Sequence, residues 1–150
     1  MRKVSRSALV TYSPEQMFAL VDDVEAYPEF LPWCVNTVVH HREERIVEAT
    51  LELRRGSISK QFRTRNISDP GRSMDIALVG GAFRHLAGGW TFSPLGDLGC
   101  KVTLELEFEF SSRVIDKLFG RYFEDSCNSL VDAFTQRAHS KYGGRSADAG

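Results

Sequence analysis

Apolar and polar residues alternate along residues 100–110, where Cys100, Val102, Leu104, Leu106, Phe108 and Phe110 are interleaved with Lys101, Thr103, Glu105, Glu107 and Glu109. A strict period of two predicts a strand with one face buried and the other wet. The period then changes. Ile115, Phe119, Phe123, Cys127, Leu130, Phe134 and Ala138 recur at steps of three and four, the spacing of one helical face. Ser111 and Ser112 offer an N-cap, Asp116 sits in the first turn, and Gly143-Gly144 closes the pattern. A helix over residues 112–141 would be roughly 45 Å long at ~1.5 Å per residue. It needs a large partner, and the rest of the chain offers only a sheet.

That sheet is legible upstream. Residues 3–11 read as an edge strand, followed by Ser13-Pro14-Glu15-Gln16, a capping box with proline at the first helical position. Tyr12 and Met17 are placed as its hydrophobic staple. The helix runs to about Asp23, and residues 25–31 form a second short helix that Pro32 cuts off. Strands are then expected over 35–42, 45–54, 57–68, 73–79 and 84–93, with breaks such as Arg55-Gly56 and Gly80-Gly81. Gaps this short force antiparallel neighbours. The predicted fold class is α+β: a helix-grip architecture, with a curved antiparallel sheet of about six to seven strands wrapped around one long C-terminal helix. The whole is read as one domain over residues 1–143, with 144–150 as a disordered tail.

A bent sheet and a straight helix cannot meet along their whole length, so the architecture implies an interior cavity. Parity places Val47, Ala49, Leu51 and Leu53 on one inward face, Met74, Ile76 and Leu78 on another, and Leu86, Trp90 and Phe92 on a third. The candidate pocket comprises Phe30, Leu31, Trp33, Leu51, Phe62, Ile76, Leu86, Trp90, Phe92, Leu104, Phe119 and Phe123. Such a set either fills its own core or lines an apolar ligand site. Ile58 and Phe62 imply that Lys60 and Thr64 share the inward side. An unpaired lysine is costly to bury, so Lys60 is expected at the cavity mouth, where it can touch a ligand's polar end.

Residues 54–72 carry six cations against Asp69 alone. Arg54, Arg63 and Arg65 are therefore candidates for contact with ribosomal RNA or lipid head groups, or form an ordinary solvated sheet surface facing Glu48 and Glu52. Overall the net charge is −1, which gives no global attraction to nucleic acid and no reason to expect DNA as a partner. No apolar run approaches the ~20 residues of a membrane span, and no secretory signal is expected after Met1-Arg2-Lys3. Cys34, Cys100 and Cys127 read as reduced core thiols. His40 and His41 would face opposite ways on a strand, unsuited to sharing a metal. The motifs GxSxG, HExxH, GxxxxGK[ST] and GxGxxG do not occur, so binding is expected rather than turnover, with no catalytic residue, metal or cofactor.

Tyr27-Pro28-Glu29-Phe30-Leu31-Pro32-Trp33-Cys34 resembles the signature of the START-like family that includes the mitochondrial coenzyme Q-binding proteins and the ribosome association toxin RatA. The stretch from Val4 to Val24, the run Gly81-Phe83-Leu86-Gly89-Trp90-Phe92 and the Phe108–Phe110 strand are similar in order, so the resemblance covers residues 3 to about 142. It implies a non-enzymatic carrier or chaperone of ubiquinone or another polyprenyl lipid that supports respiration. The quinone would stack at Trp90 and its tail would follow Leu51, Leu104 and Phe123. Alternatively, it implies a toxin that binds the large ribosomal subunit and blocks subunit association. The expected location is cytoplasmic or peripheral at the inner membrane, with transient contact to the membrane surface.

Overall fold

The computed structural model describes residues 1–143. The tail expected over 144–150 lies outside the described residues. Seven antiparallel strands form one sheet: β1 (Arg2–Val10), β2 (Cys34–Arg42), β3 (Ile46–Arg55), β4 (Ile58–Asp69), β5 (Ser73–Gly81), β6 (Phe83–Pro94) and β7 (Cys100–Phe110). Their spatial order is β1-β7-β6-β5-β4-β3-β2, so β1 and β2 are the edges. Between β1 and β2 lie α1 (Pro14–Asp22) and a 3-10 turn, Val24–Glu29. The capping box is present: the Ser13 hydroxyl accepts from Gln16 N at 3.1 Å, and Gln16 Oε1 accepts from Ser13 N at 3.0 Å.

The period-two residues of β7 are the buried ones, and Val102, Leu104 and Phe108 lose all solvent contact. Gly88 and Gly89 serve the sheet's shape. Both lie inside β6, where a Cβ would collide with the carbonyls of Glu105 and Met74 on the flanking strands. They are closely packed backbone, not a flexible joint.

The C-terminal rod is helical throughout but not uniform. It comprises α2 (Arg113–Ile115), a π-helical turn (Asp116–Gly120), α3 (Arg121–Asn128) and α4 (Leu130–Tyr142). Such wider turns arise where a side chain must be accommodated. Here that side chain is Arg2. Its Nε and Nη2 donate to Asp116 at 3.0 Å, and its Nη1 donates to Glu124 at 2.8 Å. Gly120 leaves the passage open, since a Cβ there would collide with the guanidinium. This clamp ties the first strand to the start of the rod. Among the described residues, no helix is long and apolar enough to cross a membrane.

Candidate binding site

The interior is assembled row by row across the sheet. Leu51 pairs with Phe62, Asn66 with Ile76, and Met74 with Trp90, which in turn faces Leu104. The rod closes this surface through Phe123, Cys127, Leu130 and Phe134. Aromatic edges lock the two layers together: Trp33 meets Phe123 at 5.4 Å and 90°, and Trp90 meets Phe134 at 5.3 Å and 84°. Edge-to-face geometry of this kind fills space densely. What remains is a cavity of about 70 Å³.

Nine of the twelve expected pocket residues line it: Leu31, Trp33, Leu51, Phe62, Ile76, Leu86, Trp90, Leu104 and Phe123. Three do not. Phe92 packs edge-on against Phe18 of α1 at 5.9 Å, because the strand has by then run past the cavity. Phe119 is drawn towards Phe110 by the π-turn, with ring centroids 6.5 Å apart. Phe30 caps Phe134 from outside at 5.2 Å, under the Arg137 guanidinium. Nor do Leu31 and Trp33 form an exposed lip. At 2% and 6% exposure they belong to the floor. The Tyr27 hydroxyl seats this segment by donating to Val21 O, and Leu31 N donates to Tyr27 O at 2.9 Å.

The lining is apolar except along β4, where Thr64 and Asn66 face inward. Two buried polar atoms have no partner among the described residues and belong to cavity-lining side chains, Trp33 Nε1 and Asn66 Oδ1. Leaving a buried donor or acceptor unpaired costs ~1–3 kcal/mol, and of the three such atoms among the described residues these two face the cavity while Arg63 Nε does not. Sequence reasoning placed Thr64 inward but passed over Asn66; the same parity would have found it. No charged side chain lines the cavity. Lys60 is exposed on β4, outside the lining, because the hairpin tip carries it beyond the end of the interior. Burial pushes the Cys34 thiol up to about 12 and Cys100 up to about 11, and raises Cys127 also, so none is poised as a thiolate.

The outer face of β4 is largely neutralised. Arg63 donates to Glu48, and Arg65 donates to the same carboxylate at 3.2 Å. Together they hold Glu48 below its usual range, Arg63 being the larger influence. Arg54 approaches Glu52 at 3.8 Å. The expected basic stripe is thus paired, Arg63 and Arg65 across the strands to Glu48 and Arg54 along its own strand to Glu52, which weakens it as a polyanion contact.

Comparison with known proteins fits this geometry. The family model described as polyketide cyclase/dehydrase and lipid transport matches residues 10–135. A ribosome association toxin RatA from Vibrio cholerae is 49% identical over 143 residues, spanning 95% of this chain and 99% of the relative. A mitochondrial coenzyme Q-binding protein COQ10 homolog B from Xenopus laevis is 29% identical, spanning 93% of this chain and 59% of its own. Among solved structures, the Zhui aromatase/cyclase from a Streptomyces superposes with a TM-score of 0.77 at 14% identity, over 94% of this chain and 95% of that one. At that identity the likeness speaks for the fold.

Proposed function

The chain belongs to the START-like polyketide cyclase/dehydrase and lipid transport family, and within it we propose that the protein acts as a RatA-type binder of the large ribosomal subunit that blocks subunit association. The observation that carries this reading is the small volume of the interior. Ligand sites for drug-sized molecules run to ~300–1,000 Å³, whereas the cavity here is about 70 Å³. A polyprenyl quinone does not fit without opening the grip. The outer surface is then the part available to a partner, and the relative spanning 95% of the chain at 49% identity is named for ribosome association. Binding rather than turnover is part of this reading, and the names of the relatives, a ribosome association toxin and a coenzyme Q-binding protein, support it. The test is gradient sedimentation of the protein with purified ribosomal subunits. Co-migration with the large subunit and a fall in joined ribosomes is the expected result; unchanged profiles at stoichiometric protein count against it.

A second reading, a carrier for a neutral hydrophobic ligand such as ubiquinone, is favoured by Trp33 Nε1 and Asn66 Oδ1. A guest bearing a hydroxyl or carbonyl would supply a partner in an apolar surround. Solvent extraction of the purified protein followed by mass spectrometry separates the readings: stoichiometric lipid supports the carrier, and an empty protein at high yield opposes it.

A further inference from the structure

Three cations follow the rod's solvent face from its start. Arg113, Lys117 and Arg121 stand at i, i+4 and i+8, a spacing that lines side chains up along one side, and all three are exposed. Two of the nearby acids are already engaged, while Asp125, exposed at i+4 from Arg121, stays within its reach. Asp116 and Glu124 both bind Arg2, which reaches them through the gap at Gly120. Two of the cations also sit in the rod's opening turns, where the helix dipole disfavours positive charge. Their placement therefore detracts from stability instead of adding to it.

The same end of the molecule gathers further positive charge from the sheet. A surface groove is lined by Arg55, Gly56, Ile58, Lys117 and Leu118, joining the tip of the β3–β4 hairpin to the rod. Arg55 is held there, with its Nη1 donating to Leu118 O at 2.6 Å and its guanidinium 5.6 Å from the Tyr122 ring. Lys60 lies exposed on the same hairpin. On the rod's other flank a second groove brings Arg84, itself paired with Glu109 at 3.5 Å, beside Arg113. In a chain whose net charge is −1, this is a strong local asymmetry.

We infer that this rim is where the protein docks, with Arg113, Lys117 and Arg121 as the central contacts and the phosphate backbone of ribosomal RNA as the occupant. The inference rests on the ribosome-binding reading and assigns its surface. Charge complementarity selects a polyanion, and the composition of the rim favours RNA over an anionic membrane. Its exposed apolar groups are aliphatic, Val114, Ile58 and Leu118, and none of the large exposed hydrophobics among the described residues is aromatic. A helix that lies in a lipid interface typically presents several Trp, Phe or Leu residues on one face, and of these the rim exposes Leu118 alone. Phosphate contacts by Lys and Arg position a protein on nucleic acid without reading its sequence, as docking on a folded RNA surface requires.

The test compares wild type with the triple variant Arg113→Gln, Lys117→Gln, Arg121→Gln, which retains good helix formers, and with Arg63→Gln, Arg65→Gln as a control on the neutralised face. Binding to purified large subunits is measured over a salt series. Each phosphate contact contributes ~0.7–0.9 to the slope of log affinity against log salt, so the triple variant should lose about 2 to 3 from that slope and bind at least about tenfold more weakly. The control should match wild type in binding, and the thermal midpoint of the triple variant should be no lower than that of wild type. Wild-type affinity and slope in the triple variant would overturn the assignment while leaving the ribosome reading intact. Binding to phosphatidylglycerol vesicles that the triple variant abolishes, with subunit binding unchanged, would overturn it in favour of a membrane. Failure of the wild type to bind subunits would remove both.

Discussion

At its far end the C-terminal rod is fastened on every side: Tyr12 Oη donates to Gly143 O at 2.9 Å, Tyr142 Oη to Gln16 O at 3.1 Å, and Arg137 pairs with Glu29 at 2.7 Å. At its near end the rod is fastened through two arginines of the sheet, Arg2 to Asp116 and Glu124 and Arg55 to Leu118 O, and its own cations are left facing water. Polar groups at the far end are spent on holding α4 to α1 and the 3-10 turn. At the near end Asp116 and Glu124 are spent on Arg2, and Arg113 and Lys117 are left facing water. The contrast teaches that a charged side chain is informative about function when its natural neutralising partners are present but committed elsewhere.

Four changes would sharpen or break that contrast. The largest effect is expected from Phe134→Ala in the fastened half. Phe134 is 1% exposed and meets Tyr27, Phe30 and Trp90 edge-on, so its removal should cost about 3–5 kcal/mol, read as a lower midpoint in chemical denaturation. Next comes Gly120→Ala, which sets a methyl group against the side-chain ends of Arg2 and Asp116 and should cost up to about 1 kcal/mol by the same measurement, the worth of the clamp it disturbs. No loss would show that the passage is not needed.

Arg2→Ala itself should cost about 1 kcal/mol, since the pair is partly exposed and screened by water. Its pH dependence has a definite sign. Hydrogen bonding to Arg2 lowers the Asp116 carboxyl below its usual value of 3.8, so the stabilisation is present above that value and is lost as pH falls through the depressed one. Wild type and Arg2→Ala should therefore converge in strong acid; a difference that persists there would mean that packing, not charge, holds the clamp. The smallest effect is expected from Arg63→Gln with Arg65→Gln, less than about 1 kcal/mol, because both are surface pairs to one carboxylate.

Much of this architecture was legible beforehand. Period-two alternation located β7, and Ser13 with Gln16 marked the start of α1. The helical face from Phe119 to Ala138 located the rod. What parity could not supply was the register across the strand gap. Arg63 and Arg65 were placed on the correct outer face, facing Glu48, but that Arg65 stands directly opposite it is a matter of register. Likewise Phe92 and Phe119 have the right parity and are buried, yet the run of β6 past the cavity and the π-turn send them elsewhere. The cavity's size depends on how rings such as Trp33 and Phe123 interlock, which no spacing rule encodes. The committed state of Asp116 and Glu124 was hidden for the same reason, since Arg2 lies more than a hundred residues away in the chain.

The most direct test of a protein that works through its outer surface rather than its interior is gradient sedimentation of the purified wild type with ribosomal subunits at low salt. The expected result is a peak travelling with the large subunit and released as salt is raised. A protein that stays at the top of the gradient at every salt concentration contradicts the account.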